Sequence, residues 1–355
     1  MKIAVIGAGI YGITVANVLA RAGHKVDLFE KNNDILTAAS GINQYRLHRG
    51  HHYPRSSETI ETSIKSDPSF REEYGEAIIS DTEHYYCVAK ENSLISGAKY
   101  LATCDKHGLV YERANLDILN KDAIEICVKV HEAIIDPIRL REVCLRKIKE
   151  ESGVKLFLNT YATEKHVVDH DLVVLCAYAT QNEFLEKFSV PEREYQFEIC
   201  EKLVVELPQE FRKKSVVVVD GPFMCIDPYA STNFHVMGNV VYANHAGNIG
   251  KHPIVPENLK KFLNNGIIKN PPITNFQKFI NSATYFMPKI AEAKHIGSMF
   301  TIRTVLPYKE KTDTRPTVID FYGDKIISIF SGKFGNCVEA AREVLDYLSK
   351  FKEKK

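Results

Sequence analysis

Two hydrophobic patterns alternate along this chain. The first residues open with an unbroken apolar run, 3–6, which predicts a parallel strand buried on both faces. Gly7, Gly9 and Gly12 follow, and then Ile13, Ala16, Leu19 and Ala20 recur at helical spacing up to Gly23. A second strand, 25–29, ends in Glu30. The same alternation returns further on. Asp136 can cap a helix over 138–151, Pro137 suits its first position, Gly153 ends it, and strands are expected over 155–159 and 171–176. Between 195 and 245 the pattern changes to long alternating runs, 197–206, 215–219, 224–226, 234–237 and 240–244, which predict antiparallel sheet. Helices are expected over 59–65, 70–79, 93–107, 258–268 and 273–291. Ser56 or Ser57 is the expected cap of the first. Strands are expected over 84–89, 125–135, 298–305, 317–321 and 326–330, and a helix over 338–351 closes the chain.

The fold class that follows is α/β: a Rossmann-like, mostly parallel nucleotide-binding domain interleaved with an antiparallel-sheet substrate domain. The expected boundaries are 1–80, 136–190 and 300–355 for the first, and 81–135 and 191–299 for the second. In the opening unit Gly7 permits the tight turn and Gly9 lets a pyrophosphate reach the backbone. Ile10 and Tyr11 begin the helix there. Gly12 and Ala16 let that helix lie close on the sheet. Glu30, followed by Lys31, stands where a carboxylate accepts both ribose hydroxyls and repels a 2′-phosphate. That favours FAD or NAD over NADP. The return to the nucleotide domain through the turn Ser331–Asn336 favours FAD, whose ring system reaches toward a second domain.

Composition narrows the class. The net charge of +1 gives no argument for a nucleic-acid or membrane-surface partner, and no apolar stretch approaches the length of a membrane span. The basic end, 350–355, reads as a solvated terminus. Eight cysteines without a CxxC pair read as reduced thiols of a cytoplasmic protein. His51 and His52 lack a third ligand, so no metal is expected.

A second stretch, AASGINQYRLHRGHHYPRS, is dense in groups that do chemistry. With VIGAGIYGITVANVLARAGHKVDLFEK, Asp136-Pro137, DLVVLCA, TIRTVLP and SGKFGN, it resembles the D-amino-acid oxidase superfamily of FAD-dependent oxidoreductases over essentially the whole chain. NQYRLHRGHHY is similar to the matching stretch of L-2-hydroxyglutarate dehydrogenases. It is also similar to a group with an RLHRGxHYPRS signature, associated with surface-polysaccharide pathways. Tyr178 departs from the glycine usual after the DLVVLCA strand, and 161–170 is shorter than usual.

The resemblance implies non-covalent FAD held by the opening motif, by Ser40, Asn43, Gln44 and Leu47, by Ala162 and Ala177, and by Gly332, Lys333, Phe334, Gly335 and Asn336. Cys337 reads as a packing residue rather than a covalent flavin link. His48 is the first candidate base, against a purely structural role, and Arg46 and His51 are further catalytic candidates. On a strand His51 and Tyr53 would share one face and His52 the other. Arg303 matches a substrate-carboxylate Arg, against an inter-strand role. Arg49, Tyr53 and Tyr242 are further substrate candidates. Lys333 reads either as a cation at the flavin N1–C2=O edge or as a solvated turn residue. The activity implied is removal of a hydride from a CH–OH or CH–NH carbon of a small, anionic molecule, a 2-hydroxy acid, amino acid or sugar derivative. A flavin-dependent sugar-nucleotide isomerase and an FAD-stabilised binding protein are the competing readings.

Overall fold

The computed structural model describes residues 1–352; residues 353–355, the tip of the basic terminus, lie outside them. Lys2–Ile6 sits inside a six-stranded sheet, in the order Val318–Tyr322, Ile326–Phe330, Leu172–Leu175, Lys2–Ile6, Lys25–Phe29, Val154–Phe157. Its neighbours Leu172–Leu175 and Lys25–Phe29 both run parallel to it. Ile3, Ala4 and Val5 are wholly buried, which explains why an apolar run without polar alternation forms this strand. Helix Ile10–Arg21 packs against the C-terminal helix Cys337–Lys352. Gly12 permits the strand-to-helix turn: a Cβ there would stand 1.8 Å from the Gly7 carbonyl oxygen.

The second sheet has nine strands and is antiparallel except where Lys214–Val219 runs beside Glu83–Ala89. Tyr195–Glu206 is its spine, pairing with Lys294–Val305, Asn244–Gly250 and Phe234–Asn239. The mixed α/β class is therefore the one the hydrophobic pattern predicts. A small third sheet of Arg46–Leu47, Ala133–Ile135 and Ile78–Ile79 ties the chemistry-rich stretch to distant parts of the chain.

Several elements differ from expectation, each for a physical reason. The helices expected over 59–65 and 70–79 are one, Ser57–Tyr74, capped by Ser56. Pro68 lies inside it, but Ile60, Phe70 and Tyr74 are fully buried and tertiary packing carries the helix through. The strand expected over 125–135 divides into Ile124–Val130 in the large sheet and Ala133–Ile135 in the small one, with Glu132 between them. The run 240–244 is mostly turn, because Asn239 Oδ1 accepts from the amides of Val241 (2.9 Å) and Tyr242 (2.8 Å); the strand begins at Asn244. The helix expected over 258–268 is confined to Glu257–Lys260. Asn264 and Gly266 take positive φ, and the chain then bridges to Lys294–Val305 through Leu263 and Ile268. The last expected helix, 273–291, is Phe276–Thr284 followed by a short 3₁₀ turn, Pro288–Glu292.

Asp136 caps helix Pro137–Glu150 and also holds the second sheet. Its Oδ1 accepts from Ile138 N (2.9 Å) and Arg139 N (3.1 Å), and its Oδ2 accepts from Ser231 Oγ (2.9 Å). Asp136→Ala is expected to lower stability by about 1–2 kcal/mol, read from urea denaturation.

Candidate active site

Two adjoining cavities share Tyr11, Ala39, Ser40, Tyr178 and Ser331 in their walls. The smaller, about 160 Å³, lies over the opening strand–turn–helix unit and is lined by Gly7, Gly9, Glu30, Lys31, Ala162 and Ala177. Glu30 is buried there. Its Oε2 accepts from Ala8 N and its Oε1 from Asn32 N, each at 2.9 Å, so the carboxylate is rigidly placed. A Cβ on Gly9 would approach Ser40 Oγ to 3.1 Å, and that hydroxyl already accepts from Ile10 N at 3.0 Å. The turn is thus tight around a backbone that faces open space.

The larger cavity, about 660 Å³, lies between the first sheet's C-terminal turn and a face of the antiparallel sheet. Ile10, Tyr11, Ser40, Asn43, Gln44, Arg46, His48, Tyr53, Arg303 and residues 332–336 all line it. Five of the sequence-predicted residues line neither cavity. Gly12 is inside the helix turn, Leu47 is in the core, Arg49 pairs with Asp67 at 3.6 Å, and Tyr242 is on the Asn239 turn. His51 is the fifth. Residues 51–55 form turns rather than a strand, so faces do not alternate there. His52 and Tyr53 line the cavity together with His48, while His51 points inward, its Nε2 3.1 Å from the Val110 carbonyl oxygen.

Behind the cavity wall lies a buried charge cluster. Glu132 and the Arg46 side chain are almost wholly enclosed. Glu132 accepts from Tyr86 Oη at 2.9 Å and from Arg49 N at 2.9 Å, and stands 3.3 Å from Arg46 Nε, 3.4 Å from His51 and 3.8 Å from His48 Nδ1. Arg46 also reaches Asp227 (3.6 Å) and lies over the Tyr86 ring at 4.7 Å. Burial opposes the Glu132 charge, yet His48, His51 and Arg46 together hold its pKa well below the ordinary carboxylate value. Burial opposes the Arg46 charge too, and Tyr86, Asp227 and Glu132 more than offset it. At the cavity wall, burial and the Lys333 charge lower His48 to about 4, so it is neutral at pH 7. Burial also lowers Lys333 to about 7; its ammonium lies 3.7 Å over the Tyr53 ring.

The charged residues of the wall are mostly paired with one another. Arg55 pairs with Asp220, Arg315 with Asp313, and Arg303 Nε lies 3.2 Å from Glu198 Oε2. Gln196, Glu198, Cys200 and Lys202 all face the cavity from the spine strand. Polar residues at every second position of a long β run were the available signal. Tyr178 takes a positive φ of 50° and bonds strand Lys294–Val305 twice: it donates to Thr304 O (2.8 Å) and accepts from Thr304 N (2.9 Å). It stands in the walls of both cavities.

The family model described as DAO, FAD-dependent oxidoreductase, matches residues 2–298. The chain belongs to this family. Among similar proteins, the FAD-dependent monooxygenase FPY4 of Fusarium mangiferae is 29% identical over 230 residues, covering 64% of this chain and 60% of that protein. The FAD-dependent monooxygenase kojA of Aspergillus flavus is 22% identical over 376 residues, covering 98% of this chain and 86% of that protein. Among solved structures, glycine oxidase from Geobacillus kaustophilus superposes with a TM-score of 0.72 at 15% identity, over 98% of this chain and 95% of that one. The chain is thus an FAD-dependent oxidoreductase, and the residues present fit that cofactor. The cavities adjoin, the smaller has a glycine turn open to a pyrophosphate and a fixed buried carboxylate, and the larger offers room for a ring system and a substrate.

Removing Glu132 would strand Arg46 in the interior. Glu132→Ala is expected to lower unfolding free energy by about 3–5 kcal/mol in urea denaturation.

The pH dependence has a definite sign. Burial holds His48 and His235 at about 4 and His84 at about 3, and holds His52 well below its ordinary 6.5. As pH falls through 6.5 the unfolded chain takes up these protons first. Stability is therefore expected to drop between about pH 6.5 and pH 4. Glu132 adds to that loss below its ordinary 4.5, while Asp227, raised by burial, acts in the opposite sense. Thermal melting across this range checks the slope.

Proposed function

We propose that this protein oxidises a CH–OH or CH–NH centre of a small anionic substrate in the larger cavity, with His48 taking the substrate's proton. One observation carries the reading: His48 stands in the cavity wall, neutral at pH 7, with Nδ1 turned toward Tyr86 Oη (3.4 Å) and Glu132 (3.8 Å). Nδ1 is thereby engaged with the interior cluster, and Nε2 is left for a hydroxyl or amine proton. The fixed negative charge of Glu132 offsets the positive charge His48 acquires. Oxidation of CH–OH to C=O releases two electrons and two protons; bound FAD supplies the two-electron acceptor. The chain's own part is placement. Tyr53 and His52 pack beside the His48 ring, with ring centroids 5.7 Å and 4.8 Å away, and limit its tilt. Lys333 lies above Tyr53 on the turn Ser331–Asn336 and, lowered to about 7 by burial, carries a positive charge for only part of the time at pH 7.

In the same reading Gly7, Gly9 and Ser40 hold the pyrophosphate side and Glu30 the ribose of the AMP half. The substrate is a 2-hydroxy acid, an amino acid or a sugar derivative, consistent with the NQYRLHRGHHY resemblance and a place in surface-polysaccharide chemistry. The glycine oxidase likeness supports fold alone. The names of the fungal relatives favour a second reading, oxygen insertion.

Anaerobic mixing with 2-hydroxy acids, amino acids, glycerol phosphates and nucleotide-linked sugars separates the two. Loss of the yellow flavin colour with substrate alone, and no added reductant, is the expected outcome. No bleaching with any compound, together with turnover that needs a separate reductant and oxygen, would favour the monooxygenase reading. His48→Gln is expected to slow bleaching by about 10²–10⁴-fold while FAD stays bound.

A further inference from the structure

Resting on the reading above, we propose that Lys202, and not Arg303, holds the substrate's anionic oxygen group. Four arginines line the larger cavity, and each already has a carboxylate. Arg46 has Glu132 and Asp227, Arg55 has Asp220, Arg303 has Glu198, and Arg315 has Asp313. Glu198 is held in place by its own neighbour, since Gln196 Nε2 donates to its Oε1 at 2.8 Å. An anion approaching Arg303 therefore meets a neutral pair and must compete with a carboxylate already fixed there.

Lys202 is different. It lies on the spine strand Tyr195–Glu206, four residues beyond Glu198, and so shares the cavity face of that strand. The register sets Glu198 opposite Arg303 but Lys202 opposite Met299, which offers it no charge. Among the described residues no carboxylate oxygen lies within 4 Å of its ammonium; Asp227, on whose charge Lys202 acts from beyond that distance, meets Arg46 and Ser215 Oγ (2.5 Å) through Oδ1, and its Oδ2 has no hydrogen-bond partner. Of the other lysines in the wall, Lys309 is exposed at the rim, where solvent screens it, and Lys333 is engaged with the Tyr53 ring and lowered to about 7 by burial. Lys202 is thus a half-buried cation in the wall that, among the described residues, no carboxylate contacts and no aromatic ring covers. A lysine point charge also accepts either a carboxylate or a phosphate, without the planar match a bidentate arginine demands.

The test reads binding rather than turnover. FAD-loaded protein is titrated with glycolate, inorganic phosphate and neutral glycolamide, and dissociation constants are taken by calorimetry and from the flavin visible spectrum. Glycolate or phosphate is expected to bind, and whichever binds more tightly names the anion. Lys202→Gln is expected to weaken that anion by about tenfold or more and leave glycolamide unchanged. Lys202→Arg should restore most of the affinity. The double variant E198Q/R303Q removes a neutral pair and is expected to change anion affinity by less than about threefold. FAD content and melting temperature, unchanged in Lys202→Gln, exclude misfolding as the cause. The proposal is overturned if neither anion binds the wild type, if Lys202→Gln binds as the wild type does, or if the double variant carries the whole loss. Anion binding that depends on Lys202, with no bleaching by any substrate, would sink the oxidation reading and leave this one standing.

Discussion

The arrangement of the site depends on a carboxylate buried where no water reaches it. Glu132 has no exposed side-chain surface, and an isolated charge there would cost several kcal/mol. It is tolerable because Arg46, Tyr86, the Arg49 amide and two histidines converge on it. Those partners come from two parts of the chain, the stretch 46–51 and strand Glu83–Ala89, and Glu132 itself from a third. The carboxylate therefore does more than neutralise an arginine: it pulls the stretch 46–51 against strand Glu83–Ala89 and sets which histidine is turned inward and which faces the cavity.

The same logic of compensation runs through the cavity wall. Arginines there are paired one by one with carboxylates, so a wall rich in charge is close to neutral over most of its area. What distinguishes one point from another is the absence of a partner. Function in such a wall follows uncompensated charge and neutral titratable groups, because only these have interactions left to offer a ligand. His48 and Lys202 meet that condition on opposite elements, one on the stretch after the first strand–helix–strand unit and one on the spine of the antiparallel sheet.

Tyr178 shows how the two sheets are held around the groove. It accepts a left-handed backbone that a glycine would adopt without strain, and bonds strand Lys294–Val305 through both Thr304 backbone groups. The phenol also stacks near Phe330, at a 6.0 Å ring separation, on the last strand of the parallel sheet. The Tyr178 side chain thus joins the sheets and stands where the two cavities adjoin.

The opening unit and the class of fold are legible in the chain's local pattern. A continuous apolar strand, glycines at three fixed steps and a terminal carboxylate are local requirements, each met by neighbouring residues, and the alternating runs after residue 195 require a sheet with unlike faces. The rest of the site depends on contacts between distant parts of the chain. Turns at 51–55 exchanged the expected places of His51 and His52, because alternation holds only while the chain stays extended. Asn239 folded 240–243 back and carried Tyr242 away from the cavity, since one side-chain oxygen outcompeted a strand. Glu132 gave no signal as a lone acid in a β run, and the chain pattern singled out Arg303 while giving no sign of Lys202. Whether a charge is spent or free depends on what stands opposite it, and strand register sets that across the whole length of the chain.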